Sequence, residues 1–253
     1  MSEIYQPGET PPPAALPAPN IIEHLSTPVA TYIIMVVTGI IYILQFLSEI
    51  VFSSDIPALL GMKVNEWIID GQFWRFFTPM LLHGSILHIG FNMYALLRIG
   101  QGLERRFGTF TFVTLYIVSG FSGNVLSFLF SLNPSLGAST AIFGLLGAEM
   151  VFLFQNRELF GKQASGALQN VLSVAVINFI IGMSPGIDNW GHLGGLLGGL
   201  LFTWIAGPKL TMEGAYPRFE IVNERGSAQT LTAGVLVLII FSAAAAGRIF
   251  GTY

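Results

Sequence analysis

A few polar side chains stand inside apolar stretches of this sequence, and their types and spacing set out a possible chemistry. His88 and Asn92 are four residues apart, which puts them on one face of a helix, and His83 stands five residues earlier. Two imidazoles and a carboxamide so placed form a set of hydrogen-bond donors. The same set would serve equally as polar glue between helices or as the lining of a wet cavity. Ser139 lies in Leu136-Gly137-Ala138-Ser139-Thr140, where a short loop enters an apolar run. A serine there has a glycine's free backbone and the positive end of a helix beside it, and a developing oxyanion could use both. An ordinary N-cap serine has the same signature. His192 opens a run in which Gly191, Gly195 and Gly199 recur every fourth residue, so that face can approach another helix closely. Ala141, Gly144, Gly147 and Ala148 after Ser139 are small enough to receive it. Packing the two runs together would bring His192 within reach of Ser139. Histidine, with an ordinary pKa of about 6.5, is suited to activate a serine near neutrality. Amide hydrolysis also needs donors aimed at the oxyanion, each worth about 10²–10³ in rate, and His88 and Asn92 fall at a matching depth.

These residues are informative because their background is so apolar. Of 253 residues 53% are hydrophobic and 10% charged, whereas a soluble domain spends about a quarter on charge. With a mean hydropathy of +0.67, the chain is neither an ordinary soluble enzyme nor disordered, and several membrane-spanning helices are expected. A net charge of −3 supplies no basic field, so no nucleic-acid partner is expected. The absence of cysteine excludes disulfides, thiol nucleophiles and thiolate metal sites. Neither His83 nor His88 belongs to a His-Glu-x-x-His pattern, so a metalloprotease is disfavoured. A transporter or channel would account for polar groups in spans but not for this combination of serine, histidine and asparagine.

The elements that must position these groups follow from hydropathy. Residues 1–27 form a Pro-rich tail without Lys or Arg, unlike a signal peptide or presequence, so the first apolar run is expected to be retained. Seven spans are predicted, at about 28–50, 84–103, 109–131, 139–156, 167–183, 190–206 and 230–250, the first with Thr27 as N-cap and Pro28 at N1. Residues 51–83 are rich in aromatic rings, which favours the membrane interface. The links 132–138 and 184–189 are so short that their flanking helices should be antiparallel neighbours, and 207–229 reads as a polar linker. The division is therefore tail 1–27, six-helix core 28–206, linker 207–229 and seventh helix 230–253. Arg105, Arg106, Arg157, Lys162, Lys209, Arg218 and Arg225 fall on one side, against Lys63, Arg75 and Arg248 on the other. That asymmetry puts the N-terminus in the cytoplasm and the aromatic loop outside. Arg98 and Glu149 are expected to pair, Asn124 and Asn178 to bond between helices, and Asp188 to sit in a wet loop.

With these motifs in hand, the sequence resembles the rhomboid family of intramembrane serine proteases. The matching elements are Trp74-Arg75, His83-x4-His88-x3-Asn92, Glu104-Arg105-Arg106-Phe107-Gly108, Gly137-Ala138-Ser139 and His192-x-Gly194-Gly195-x3-Gly199, in family order over about residues 70–200. The resemblance implies an all-α polytopic membrane protein, a six-helix rhomboid core plus one C-terminal transmembrane helix. It implies Ser139 as nucleophile and His192 as general base, with His88, Asn92 and the Ser139 N–H as oxyanion donors. His83, Phe143, Trp74, Arg75 and Gly137 would support them, and the resemblance implies no metal and no cofactor. The implied substrates are transmembrane segments of other membrane proteins in the lipid bilayer, cut toward the outer face, with the fifth helix and the loop before His192 gating entry. A bacterial plasma membrane is the expected setting. Two positions depart from the family pattern: Thr140 replaces the usual glycine and would crowd the oxyanion backbone, and Phe143 replaces the usual tyrosine while keeping a ring to stack on the histidine. Thr140 alone favours the alternative of an inactive rhomboid-like protein that binds transmembrane clients.

Overall fold

The computed structural model describes residues 27–215 and 218–251, so the Pro-rich segment and its His24 fall outside the described residues. In chain order the elements are α1 (Val29–Phe52), the short α2 (Ile56–Gly61) and α3 (Asn65–Ile69), two 3₁₀ turns (Phe73–Phe76 and Thr78–Leu81), α4 (Ile86–Phe107), α5 (Thr109–Phe130), α6 (Ser139–Gln155), α7 (Arg157–Ile181) and α8 (Asn189–Ala206), then strands β1 (Leu210–Ala215) and β2 (Arg218–Asn223), and α9 (Ser227–Phe250). The seven long helices correspond to the seven predicted spans. The fold is an all-α polytopic membrane bundle with one small hairpin.

Two classes of helix build it. α1, α5, α7 and α9 are each long and apolar enough to cross a membrane. α1 and α7 present Ile33, Val36, Ile40, Ile177 and Ile180 outward, as helices against lipid do. α4, α6 and α8 are different. α4 carries Arg98, Glu104, Arg105 and Arg106, α6 has only 17 residues, and five of the 18 residues of α8 are glycine. α6 is buried along almost its whole length, enclosed by α5, α8, α4 and α7.

Glycine makes that enclosure possible. A β-carbon on Gly195 would overlap the carbonyl oxygen of Thr140, and one on Gly199 would overlap the carbonyl of Gly144. On the other side of α8, a β-carbon on Gly194 would come within 2.5 Å of Ser122 O on α5. Apolar side chains gain little by associating within lipid, so the three helices hold together by close contact and by hydrogen bonds.

Several local details differ from expectation. α1 begins at Val29 rather than Pro28, and Thr27 does not cap it. Instead the buried Glu104 of α4 accepts from Ala30 N at 2.8 Å, Thr31 N at 2.7 Å and Thr31 Oγ1 at 2.7 Å. A carboxylate there satisfies orphan N–H groups and faces the positive end of α1. Glu149 pairs with Arg106, whose Nη1 donates at 2.9 Å, and not with Arg98, because the rotation of α4 leaves Arg98 exposed. Asn178 bonds back to Val174 O on its own helix, while Asn124 Nδ2 donates at 2.9 Å to Phe76 O in the outer loop. α7 begins ten residues before the predicted span and is kinked at Gly161, whose φ is 54°. It packs along α6 rather than along α8, so the short 184–189 link does not make α7 and α8 neighbours over their length. The 207–229 linker contains the hairpin, with Leu210 opposite Asn223.

Substituting Gly199→Val should force α6 and α8 apart and cost about 1–3 kcal/mol. Thermal unfolding in detergent measures this, and an unchanged midpoint would show that the seam is not under such constraint.

Candidate active site

The residues singled out by spacing meet at one end of the α4–α6–α8 cluster. Ser85 caps α4 by accepting from His88 N at 3.2 Å, which fixes the turn carrying His88. Ala138 is the N-cap of α6, so Ser139 is its first helical residue and not a cap. Its backbone N–H is among those with no carbonyl partner within the helix. Asp188 caps α8, its Oδ1 accepting from Gly191 N at 3.0 Å, and His192 follows in the first turn.

Across the α6–α8 seam Ser139 Oγ and His192 Nε2 lie 3.0 Å apart. The imidazole stacks on Phe143 with centroids 4.2 Å apart and planes 10° from parallel. Phe143 is one turn after Ser139, so a single helix supplies both the hydroxyl and the surface that holds the ring upright. Phe143 in turn meets Phe179 of α7 edge-on at 5.8 Å.

His88 comes to the same place from α4. Gly137 has a φ of +135°, and a β-carbon there would lie 2.8 Å from His88 Nε2 and 3.6 Å from Ser139 Oγ. Only glycine allows this backbone and this approach together. Asn92 is buried one turn further along α4, where its Nδ2 donates to His88 O at 2.9 Å. That bond uses one of its two amide hydrogens. His83 is buried behind them. Its ring meets that of His88 at 5.0 Å, and its Nε2 accepts from Ala138 N at 3.4 Å. Gln45 of α1 grips the His83 backbone from both sides, accepting from its N at 3.0 Å and donating to its O at 3.3 Å. Burial, and then the adjacent His88, push His83 down to about 3, so it is a neutral hydrogen-bonding group.

Trp74 and Arg75 do not reach this cluster. Arg75 is buried in the outer loop, where it donates to Met62 O at 2.7 Å, Leu59 O at 2.8 Å and Gln72 Oε1 at 2.8 Å and lies over the Trp67 ring at 4.3 Å. Trp74 donates to Leu60 O at 3.0 Å and leaves its ring exposed. These contacts lie within the outer loop. The Thr140 side chain turns into the α5–α8 seam. A β-carbon on Gly123 would meet its Cβ at 2.6 Å, and one on Gly191 would meet its Cγ2 at 3.1 Å. Asp188 is partly buried rather than wet, and its Oδ2 accepts from Ser127 Oγ.

Spacing did not reveal the anchor of the 131–138 loop that leads to Ser139. Lys63 pairs its backbone with Ser135, at 2.9 and 3.1 Å, and its ammonium donates to Ser131 O at 2.9 Å and Asn133 O at 3.0 Å. Asn65 also donates to Ser131 O, at 2.9 Å. From α9, Arg248 donates to Phe128 O and to Leu129 O and lies over the Phe128 ring at 4.8 Å. Three donor side chains thus close the carbonyl end of α5. Burial lowers Lys63 to about 8, Asp188 opposing the fall and Arg248 adding to it. Among the described residues no group of three or more His, Asp or Glu side chains is placed to hold a metal ion.

A model of the rhomboid domain matches residues 70–209, which takes in the whole of this cluster. Rhomboid protease GluP of Bacillus subtilis (strain 168) is 36% identical over 173 residues, 68% of this chain and 34% of GluP. RHOMBOID-like protein 9, chloroplastic, of Arabidopsis thaliana is 35% identical over 159 residues, 62% of this chain and 37% of the relative. RHOMBOID-like protein 4 of the same plant is 39% identical over 154 residues, 60% and 39% of the two chains. The chain therefore spans between about a third and two fifths of the length of these relatives.

Lys63 holds its proton less tightly in the folded chain than in the unfolded one. From about pH 8 up to the ordinary lysine range the unfolded chain therefore binds more protons, and raising the pH favours the fold. Relative to Lys63→Met, wild type should gain up to about 3 kcal/mol across that range. Detergent melts from pH 7.5 to about 10.5 measure it, and parallel pH dependences of the two proteins would contradict it.

Proposed function

The chain belongs to the rhomboid family, and from that membership we propose that it is an intramembrane serine endopeptidase that cuts transmembrane segments of other membrane proteins. The observation that carries the reading is the 3.0 Å approach of Ser139 Oγ to His192 Nε2, with the imidazole held flat on Phe143. In this reading Nε2 takes the hydroxyl proton as Oγ bonds to the substrate's carbonyl carbon. The carbonyl oxygen becomes an oxyanion, to which the Ser139 N–H, His88 and the remaining amide hydrogen of Asn92 donate. Collapse expels the amine, which takes the proton from His192. Water, deprotonated by the same imidazole, then hydrolyses the acyl-serine. His83 and Gly137 support His88, and Phe143 supports His192.

The excess of basic residues on one side supports a cytoplasmic N-terminus and a site toward the outer face, in a bacterial plasma membrane the periplasmic or extracellular side. α7 is largely exposed and packs chiefly on α6, which supports its role, with the 182–188 loop, as the movable side through which a substrate helix enters. The turn of the Thr140 side chain into the α5–α8 seam supports the protease reading over a client-binding protein without activity.

A fluorophosphonate serine probe on detergent-solubilised protein tests the assignment. Wild type should label, while Ser139→Ala and His192→Ala should not. Labelling that survives Ser139→Ala would sink the nucleophile, and an unlabelled wild type that leaves a model transmembrane substrate uncut would restore the client-binding reading. Asn92→Ala should slow cleavage about 10²-fold with the melting midpoint unchanged; an unaltered rate would remove Asn92 from the oxyanion site.

A further inference from the structure

We propose that Asn189 is a positioning residue that sets the tautomer of His192 and ties that setting to α7. The inference rests on the reading of Ser139 and His192 as nucleophile and base.

Asn189 is the first residue of α8, and its side chain has two partners. Its Nδ2 donates to Phe179 O near the end of α7 at 3.1 Å, and its Oδ1 faces His192 Nδ1 at 3.3 Å. A carbonyl can only accept, so the amide nitrogen must face Phe179 and the amide oxygen must face the imidazole. The hydrogen then belongs on Nδ1, and the lone pair of Nε2 is left pointing at Ser139 Oγ. That is the tautomer a general base needs, and the task resembles that of the third residue in a Ser-His-Asp triad.

Among the described residues, Asn189 Oδ1 is the one hydrogen-bond partner of Nδ1. Phe143 presents a ring face, Ser139 is on Nε2, and Asp188 spends Oδ1 on Gly191 N and Oδ2 on Ser127. The place for the amide is also made by the chain. Gly182 ends α7 there, and a β-carbon on it would overlap Asn189 Oδ1. α7 packs chiefly on α6, so the Asn189–Phe179 bond ties the position of α7 directly to the base, beside the ring contacts that run from Phe179 through Phe143 to His192. Displacing the outer end of α7, as an entering substrate helix must, pulls on the amide that orients the imidazole.

Two variants separate the amide's functions. Asn189→Leu is similar in size and removes both bonds, whereas Asn189→Asp keeps an acceptor for Nδ1 and loses the donor to Phe179. On a model transmembrane substrate, Asn189→Leu should lower kcat and the fluorophosphonate labelling rate about 10–100-fold, with KM changed less than about twofold. Asn189→Asp should recover most of kcat. The ¹⁵N shifts of the His192 side chain should report Nδ1–H in wild type and a mixture of tautomers in Asn189→Leu. A wild-type kcat in Asn189→Leu, a loss in both variants that tracks their melting midpoints, or an Nε2–H tautomer in wild type would each overturn the proposal. Ser139→Ala, run alongside, keeps the two failures apart. Labelling that persists in it brings down the nucleophile reading and this inference with it, whereas labelling that depends on Ser139 leaves the Asn189 variants to decide the inference alone.

Discussion

The carbonyl of Thr140 lies where a β-carbon on Gly195 would stand, and the carbonyl of Gly144 where one on Gly199 would stand. α6 and α8 therefore meet backbone to backbone, and the distance across the site follows from that contact. At the wider spacing set by ordinary side chains, a hydroxyl on one helix and an imidazole on the other could not approach to 3.0 Å. The ring on which His192 rests also belongs to α6, so one seam sets both the separation and the tilt of the pair.

This arrangement divides the work among the helices. α1, α5, α7 and α9 are individually apolar enough to face lipid, and they surround a centre whose helices are short, charged or rich in glycine. The residues proposed for chemistry all stand on that inner set. The charges do not follow that division: Glu104 of α4 caps α1, Arg106 of α4 meets Glu149 of α6, and Lys63 of the outer loop and Arg248 of α9 donate to the end of α5. Glu104, Lys63 and Arg248 each act on a helix end, where unpaired backbone groups need partners.

Much of the site was legible in the sequence because it depends on spacing along single helices. The four-residue steps from His88 to Asn92, from Gly191 to Gly199 and from Ser139 to Phe143 each define a face without knowledge of any neighbour. What could not be read were choices between faces of different helices. Glu149 had Arg98 and Arg106 within reach along the chain, and only the rotation of α4 about its axis selects Arg106. Asn124 looked like a bond between helices, but its partner is a loop carbonyl, whose position no periodicity encodes. The hairpin was obscured because its strands are six residues each within a polar stretch, although Arg218, Phe219, Glu220 and Ile221 alternate polar and apolar as a strand does. Asn189 was overshadowed by Asp188, since a carboxylate near a histidine attracts attention that a carboxamide does not. Lys63 gave no warning, because a lone lysine in a loop ordinarily lies in water.

Arg248 gives the fold an order in time. It stands on α9, made 120 and 119 residues after the α5 carbonyls it covers, Phe128 O and Leu129 O, which lead into the loop before Ser139. During synthesis the six core helices can enter the bilayer and pack while that end of α5 still lacks its last donor. Until the seventh helix has inserted, Lys63 and Asn65 alone hold the carbonyl end of α5, and the step from α5 into the loop before Ser139 gains its third clasp only at the end of synthesis.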